Sequence, residues 1–295
     1  MSKLQLAVLA TGSKGNCYWV SDGQTSILID AGLTLSKAKA AMKRCGRDLG
    51  PIAAILVTHL HGDHAGNARV LAKKLKAPVY MSRGTWRGLT DGDERRKKKL
   101  LPDTKHTRIL DQPILGRGDF RVGTLDIEYI EVPHDAPGTV AYRVGRRGTS
   151  PEDSVWVGVL TDFSINPLDW SNKHTERVCT FLSDLSIAVL EFNHDVDMLR
   201  ECEKYHNLLK ERIYNTHMNN QDSGDLLVMA DPYRLKHLVT GHTSERANCP
   251  EVVKAAAEQA IDKLCIAAFT PPPLHIGRQE GRTSIFSVDL PPCSL

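Results

Sequence analysis

The first third of the chain alternates short apolar runs with amphipathic segments. The apolar runs at residues 4–10, 25–30 and 52–57 end at polar or glycine positions, and their length suits buried strands better than helices. Residues 34–44 and 65–76 carry apolar side chains at helical spacing with lysine and arginine between them, so they predict two amphipathic helices. Gly46 ends the first helix, and Pro78 begins a further strand after the second.

The middle of the chain is rich in predicted strands, and the last third alternates again. Residues 120–122, 125–130 and 139–144 predict strands that glycine and proline separate. Residues 155–160, 187–190 and 237–240 predict strands between helices around 198–209, 223–230 and 250–261. Two α/β halves around a strand-rich middle predict layered sheets with helices outside, which we interpret as a single domain over residues 1–295.

The composition of the 295 residues is that of a globular protein. With 41% hydrophobic and 25% charged residues, it excludes the disordered, collagen-like and membrane-spanning classes. The net charge of +3 indicates that no basic or acidic tail dominates. The first ten residues lack a signal-peptide cleavage pattern, and the seven cysteines contain no C-x-x-C pair. We therefore expect a cytoplasmic protein without a disulfide framework.

One segment departs from the even distribution of charge. Five cations follow one another at residues 95–99, directly after Glu94. A solvated loop is the simpler interpretation, because clustered cations need no partner. An arm that contacts phosphates is the other interpretation.

The candidate chemistry is concentrated at residues 58–64, which read Thr-His-Leu-His-Gly-Asp-His after an apolar strand. If the chain stays extended past Val57, the period of two places His59 and His61 on the same side, where both imidazoles can bind one cation. Gly62 permits a turn, so that Asp63 and His64 enter the next helix from another direction. These two side chains could bind a second cation, because one tetrahedral site could hardly take four ligands from so short a turn.

This segment resembles the H-x-H-x-D-H signature of the metallo-β-lactamase superfamily. The resemblance implies an α/β fold, the αββα sandwich of two mixed sheets packed face to face with helices outside. The rest of the chain matches the superfamily's order of site residues, because Asp30, His134, Asp162 and His242 each follow an apolar strand. Each of these four would be a weak signal alone, and together they form a strong one.

The resemblance implies a centre of two divalent metal ions. The implied ligands are His59, His61 and His134 for the first metal, Asp63, His64 and His242 for the second, and Asp162 between them. Asp30 would orient a ligating histidine. Imidazoles and carboxylates suit zinc and manganese alike, so the ligand types leave the metal open. Water held between two such cations has its pKa lowered to about 7, which supplies a hydroxide nucleophile at neutral pH.

Three further segments, at residues 9–16, 191–199 and 216–223, narrow the resemblance. They resemble the YycJ/WalJ-type branch, which is similar to double-strand DNA 5′-exonucleases and related to tRNase Z and the cyclic phosphodiesterases. By similarity to tRNase Z, His217 would give a proton to the leaving oxygen, and Glu191 would keep it protonated and oriented. A surface histidine at a helix start is the alternative interpretation. The chain departs from the branch pattern at Asn219 and Gln221, where a small or hydroxyl residue and a glutamate are usual.

Two other groups are candidate substrate contacts. Ser13, Lys14 and Asn16 belong to a glycine-rich turn that is not a Walker loop, and this turn would bring backbone amides and Lys14 near an anionic substrate. A plain turn between strands is equally compatible with the sequence. His194 matches the branch, and a position near the substrate or a structural role would both explain it.

We expect a metal-dependent phosphodiesterase that hydrolyses nucleic acid, DNA rather than RNA, as a 5′-exonuclease. The catalytic residues would be Asp63, His217 and Glu191. Hydrolysis of a carbon ester or lactam, or of a small cyclic phosphodiester, stays open because the same metal centre serves all these reactions. A non-enzymatic adaptor is disfavoured, because none of the implied ligands is missing. The oligomeric state is not indicated, and no membrane partner is expected.

Overall fold

A computed structural model describes residues 2–91, 105–111, 116–264, 271–279 and 284–291. Within these residues, two seven-stranded sheets form the centre of the molecule. The cationic segment at residues 95–99, for which a solvated loop and a phosphate-contacting arm were the two interpretations, lies outside the described residues. No helix in the described ranges is long and apolar enough to cross a membrane.

The first sheet has the strand order β14-β1-β2-β3-β4-β5-β6. Its strands are β1 (Lys3–Ala10), β2 (Cys17–Ser21), β3 (Ser26–Ile29), β4 (Ala54–Leu56), β5 (Val79–Met81), β6 (Thr107–Ile109) and β14 (Ile285–Asp289). Pairing is antiparallel from β14 to β3 and parallel from β3 to β6. The sheet is therefore mixed.

The second sheet has the order β13-β12-β11-β10-β9-β8-β7. Its strands are β7 (Arg117–Val122), β8 (Leu125–Glu131), β9 (Val140–Arg146), β10 (Val155–Leu160), β11 (Ile187–Glu191), β12 (His237–Gly241) and β13 (Leu274–Ile276). Here β7 to β10 pair antiparallel and β10 to β13 pair parallel. Two mixed sheets confirm the predicted fold class.

The helices of the described residues lie on the outer faces or near the strand ends. They are α1 (Leu35–Arg44), α2 (Gly62–Ala65), α3 (Ala68–Leu75), α4 (Arg83–Thr90), α5 (Lys173–Ser183), α6 (Val196–Glu201), α7 (Asn207–Thr216), α8 (Asn220–Ala230) and α9 (Pro250–Leu264). A short 3-10 turn occupies Pro151–Asp153.

Three buried clusters account for the layers. Leu6, Val20 and Ile27 of the first sheet share one cluster with Ile127 and Val157 of the second, so the sheets pack face to face. A second cluster joins the outer face of the first sheet to α1, α3 and α4. A third joins the outer face of the second sheet to α5, α8 and α9. Burial of apolar surface on both faces of each sheet is what holds this four-layer sandwich together.

Two predicted helices differ from the structure. The helix expected at 65–76 begins at Ala68, because Asn67 donates its backbone N–H to Ala31 and its side-chain amide to Gly32, which diverts the chain after α2. The helix expected at 198–209 is two helices, α6 and α7. Its middle fails because Cys202 takes extended dihedrals, and the His206 side chain then caps a new helix by accepting from the Leu209 N–H.

Helices α4 and α5 carry signals that the predictions did not use. Ser82 caps α4 by accepting from the Thr85 N–H, and Asn172 caps α5 by accepting from the His174 N–H. In α5 the buried Val178, Phe181 and Leu182 follow helical spacing.

Candidate metal centre and active site

The predicted site residues lie at or just after the carboxyl ends of strands. His59 and His61 follow β4, His134 follows β8, Asp162 follows β10 and His242 follows β12. Glu191 is the last residue of β11. Because neighbouring parallel strands end at the same edge of a sheet, this placement gathers side chains that are far apart in sequence.

Three of the predicted residues hold an unusual backbone conformation. Asp30, Asp162 and His242 have φ angles of 61°, 61° and 49°. Non-glycine residues rarely adopt this left-handed region, which costs about 1–3 kcal/mol each and recurs at functional sites. Each of the three turns the chain sharply at a strand end, which points its side chain into the site.

His59, His61 and His134 bring three imidazole nitrogens together. His61 Nδ1 lies 3.0 Å from His59 Nε2 and 3.4 Å from His134 Nε2. Burial lowers the pKa of all three rings, that of His61 to about 4, so all three are neutral at pH 7. Because the His134 Nδ1–H donates to the Thr216 carbonyl at 2.9 Å, its Nε2 presents a lone pair to the cluster. The three residues form a candidate metal-binding group.

A second donor set lies beside the first. Asp63, His64 and His242 form one candidate group, and Asp162 joins His59 and His64 in another. Asp162 Oδ2 lies 3.0 Å from His64 Nε2, and its Oδ1 lies 3.4 Å from His242 Nε2. This carboxylate therefore lies between the two donor sets, where the resemblance places a bridging ligand.

The charges of the second set are coupled. Burial would lower the pKa of His64 and His242, but Asp162 and the neighbouring carboxylates outweigh it, raising the pKa of His64 well above its ordinary value and that of His242 to about 10. Burial would raise the pKa of Asp162, but His242 and His64 hold it well below its ordinary value. Without a metal these two rings therefore carry protons, which a cation would replace on binding.

Asp30 orients His64. Its Oδ2 accepts from His64 Nδ1 at 2.7 Å, while Thr58 donates its N–H and its hydroxyl to Oδ1, each at 2.9 Å. Asp30 and His64 are fully buried. This contact fixes the ring so that Nε2 faces Asp162.

Glu191 contacts two histidines. Its Oε1 lies 2.8 Å from His217 Nδ1 and 3.2 Å from His242 Nδ1, and its Oε2 accepts from the Phe163 N–H at 3.2 Å. Burial would raise the pKa of Glu191, but the charge and hydrogen bonding of His217, with help from His242, hold it below its ordinary value. The carboxylate therefore fixes the orientation of both rings and leaves their Nε2 atoms for other partners.

These residues suit a divalent cation. Asp162 Oδ2 is buried without a hydrogen bond of acceptable geometry among the described residues. Its neighbour His64 Nε2, 3.0 Å away, does not form a well-directed hydrogen bond to it, and a divalent cation would satisfy a buried carboxylate oxygen that lacks such a bond. Neutral imidazoles with carboxylates form the donor set that zinc and manganese accept.

The site opens to a cleft of about 380 Å³. Its lining comprises Ser13, His61, Gly62, Asp63, Asp162, Asn193, Tyr205, Leu209, Arg212, Ile213, His217, His242, Thr243 and Ser244. The predicted acid His217 therefore faces the same space as Asp63 and Asp162. Gly62 has no positive φ, and a Cβ at this position would have open space. The turn therefore does not require the glycine to which the sequence analysis attributed it.

The candidate substrate contacts near the amino terminus differ in their positions relative to the cleft. Ser13 lines the cleft, but the Lys14 ammonium is bound 2.6 Å from Glu245. Asn16 is fully buried, its amide nitrogen 2.8 Å from His64 Nε2 and 3.1 Å from the Gly12 carbonyl, so the expectation of direct substrate contact is wrong for it. His194 is also fully buried, and burial lowers its pKa to about 4. It is not among the residues that line the cleft, which favours the structural interpretation.

Three residues that lie near the candidate metal centre were not predicted from the sequence. Asp135 Oδ1 lies 3.1 Å from His134 Nε2 and 3.4 Å from His61 Nε2, and its Oδ2 accepts from Arg212 Nε at 2.5 Å. Asn193 donates to the His242 carbonyl at 2.8 Å. The position of Asp135 directly after His134 was an available signal for it. Arg212 has no such signal, because the packing of α7 over the cleft brings it there.

Comparison with known proteins identifies the fold. Residues 10–149 match the family model of the Metallo-beta-lactamase superfamily. The chain carries a metallo-β-lactamase domain. Solved structures agree on the fold: the metallo-β-lactamase fold protein YhfI from Bacillus subtilis superposes with a TM-score of 0.61 and 16% identity, over 97% of this chain and 100% of that one.

Two curated relatives extend the similarity along the chain. Exodeoxyribonuclease YycJ of Bacillus anthracis is 29% identical over 88% of this chain and 90% of its own. Exodeoxyribonuclease WalJ of Streptococcus pneumoniae strain D39 is 29% identical over 83% of this chain and 84% of its own. With its metallo-β-lactamase domain and these relatives, the protein is a metal-dependent hydrolase.

Proposed function

We propose that the protein is a dinuclear-metal phosphodiesterase that hydrolyses nucleic acid, as a DNA 5′-exonuclease. The observation that carries the proposal is the joining of two donor sets by Asp162 in one cleft with the His217–Glu191 pair. The similarity to the two exodeoxyribonucleases supports DNA as the substrate.

His59, His61 and His134 would hold one ion, and Asp63, His64 and His242 the other, with Asp162 shared. When bound, zinc or manganese ions at these donors supply a water-derived nucleophile at neutral pH and polarise a phosphoryl oxygen. Asp30 and Glu191 would keep His64 and His242 in the orientation that ligation needs.

His217 would protonate the leaving oxygen. An expelled alkoxide is a poor leaving group, and a positioned general acid is worth roughly 10²–10⁴ in rate. Glu191 receives the His217 Nδ1–H at 2.8 Å, which leaves Nε2 as the nitrogen that can meet the substrate. Two observations support this role, because His217 lines the cleft and its Nδ1 lies 3.8 Å from Asp162 Oδ1, which places the ring beside the candidate metal centre.

We also propose that residues 1–295 form one domain. The carboxyl-terminal strands support this, because β13 pairs with β12 and β14 pairs with β1. These two strands complete one edge of each sheet, so the end of the described chain belongs to both halves of the sandwich.

A comparison of substrate classes tests the reaction type. The protein loaded with Zn²⁺ or Mn²⁺ is given bis-p-nitrophenyl phosphate, nitrocefin and an acyl-homoserine lactone in parallel. We expect the kcat/KM of the phosphodiester to exceed the others, because the cleft pairs its donor sets with a general acid. Faster hydrolysis of nitrocefin or the lactone would contradict the proposal and support the carbon ester or lactam alternative.

A further inference from the structure

Helix α7 has an unusual place in the fold. None of its residues is buried, so it does not contribute a face to any of the three buried clusters. Leu209, Arg212 and Ile213, at helical spacing, instead line the cleft together with Tyr205 from the preceding turn. The packing of α7 is therefore explained by the cleft rather than by the core.

The carboxyl end of α7 is tied to the candidate metal centre. The Thr216 carbonyl accepts from His134 Nδ1 at 2.9 Å, and His217 follows the helix directly. One turn earlier, Arg212 Nε donates to Asp135, whose other oxygen lies 3.1 Å from His134 Nε2. The Asp135 carboxylate thus links Arg212 to the cluster of His59, His61 and His134.

Arg212 is the one lysine or arginine among the described residues that line the cleft. Its side chain is 49% exposed, and in the described part of the chain only Nε has a hydrogen-bond partner. The two terminal nitrogens are left as a planar pair of donors. Such a fork matches the oxygens of a phosphate. Lys14, by contrast, has a single side-chain nitrogen, and this nitrogen is bound to Glu245.

We infer that α7 is the nucleotide-binding wall of the cleft, where Arg212 binds a phosphate that flanks the cleaved bond. Tyr205, Leu209 and Ile213 provide a partly exposed apolar surface beside it for the base or sugar of that nucleotide. Stacking of bases on aromatic rings tolerates any sequence, which suits an exonuclease. This inference rests on the proposed phosphodiesterase function and names the residues that would select a polymeric substrate.

The test compares Arg212→Ala with Arg200→Ala in the full, metal-loaded protein. Arg200 is an exposed cation on α6 that pairs with Asp197 outside the cleft, so both variants lose one positive charge. Each is assayed on a 5′-phosphorylated oligothymidylate and on bis-p-nitrophenyl phosphate, which has no flanking phosphate. We expect Arg212→Ala to lose about tenfold more kcat/KM on the oligonucleotide than on the small diester, mainly through KM.

The dependence of KM on salt gives a second readout. Loss of one phosphate contact lowers the slope of log KM against log salt concentration by about 0.7 for a single strand. We expect this change in Arg212→Ala and not in Arg200→Ala. Arg212→Lys keeps the charge without the planar fork, so we expect it to retain the salt slope. Its KM on the oligonucleotide should lie between those of the wild-type protein and Arg212→Ala.

The outcomes separate the inference from the function on which it rests. If the wild-type protein cleaves neither substrate, the proposed function and the inference both fail. If the wild-type protein cleaves the oligonucleotide and the two alanine variants behave alike, the inference alone is overturned. Loss of bound metal from Arg212→Ala would also overturn it, since Arg212 would then act through Asp135 on the ligands.

Discussion

Glu191 contacts two histidines to which the proposed function gives different roles. Its Oε1 lies within 3.2 Å of the Nδ1 atoms of both His217 and His242, and the two rings stack with planes 12° apart. In the proposed function one ring binds metal and the other donates a proton. Glu191 therefore fixes the spacing between ligand and acid.

His217→Ala separates these two roles. We expect the variant to keep its bound metal and to lose roughly 10²–10⁴ in kcat, because a positioned acid is removed while the ligands stay. Metal content and turnover are measured on the same preparation. His174→Ala, which changes a histidine of α5 away from the cleft, serves as the control.

Loss of metal from His217→Ala would contradict the assignment. It would indicate that His217 belongs to the second donor set. Such a result would agree with the distances between side chains, because His217 forms a candidate metal-binding group with Asp162, Glu191 and His242.

At the scale of single residues, much of the site could be predicted from the sequence. The H-x-H-x-D-H spacing and the strand-end positions of Asp30, Asp162 and His242 predicted which side chains would meet, because strand ends are recognisable from apolar runs. The error at Asn16 has a different cause. Whether a polar side chain in a glycine-rich turn faces the cleft or the interior depends on packing, and here the Asn16 amide donates to the Gly12 carbonyl and lies against His64.

At the scale of elements, the paired strands β8 and β9 carry a charge network away from the cleft. Arg143 of β9 binds Glu128 of β8 at 2.6 Å and Asp184 at the end of α5 at 2.8 Å, and its guanidinium lies 4.9 Å from the Trp156 ring centroid. Burial would raise the pKa of Glu128, but Arg143 and Arg147 hold it below its ordinary value. The network joins α5 to the second sheet.

Glu128→Gln tests this network through pH. At pH 7 we expect the free energy of unfolding to fall by about 2 kcal/mol, less than for a fully broken buried pair because Arg143 keeps Asp184. The lowered pKa of Glu128 means that its contribution is present above the unfolded pKa of about 4.3 and is lost as pH falls through the folded value. The difference in the free energy of unfolding between the wild-type protein and Glu128→Gln should therefore become smaller below about pH 4.

Urea unfolding with EDTA present measures this gap, since chelation keeps metal loss from contributing. Glu176→Gln, at an exposed position of α5, should change stability by no more than about 0.5 kcal/mol. A gap for Glu128→Gln that stays constant from neutral to acidic pH would show that its ionisation does not stabilise the fold.

Elements were predictable where their patterns were strong. The strand at Val155–Leu160 and the helix ending at Arg44 were predicted at those positions. The single helix expected at 198–209 failed because capping by His206 and the cleft contacts of α7 decide the break. Neither cause is visible in hydrophobic spacing.

At the scale of the whole molecule, the sandwich places two half-sites at one edge. The first sheet supplies Asp30 and the His59–His64 segment, and the second supplies His134, Asp162, Glu191 and His242. The centre therefore forms only when the sheets pack together. The layers could be predicted from the alternation of strands and helices, but the return of β14 to the first sheet could not, because a short strand at a sheet edge has no periodic signal.

Digestion of end-labelled DNA tests the proposed nuclease most directly. Purified protein loaded with Mn²⁺ or Zn²⁺ is incubated with 5′-phosphorylated DNA and with RNA of the same sequence, and Asp162→Asn is the matched variant. We expect the wild-type protein to release nucleotides from DNA faster than from RNA, and Asp162→Asn, which lacks the shared carboxylate charge, to release none. No cleavage of either nucleic acid with either metal would contradict the proposed function.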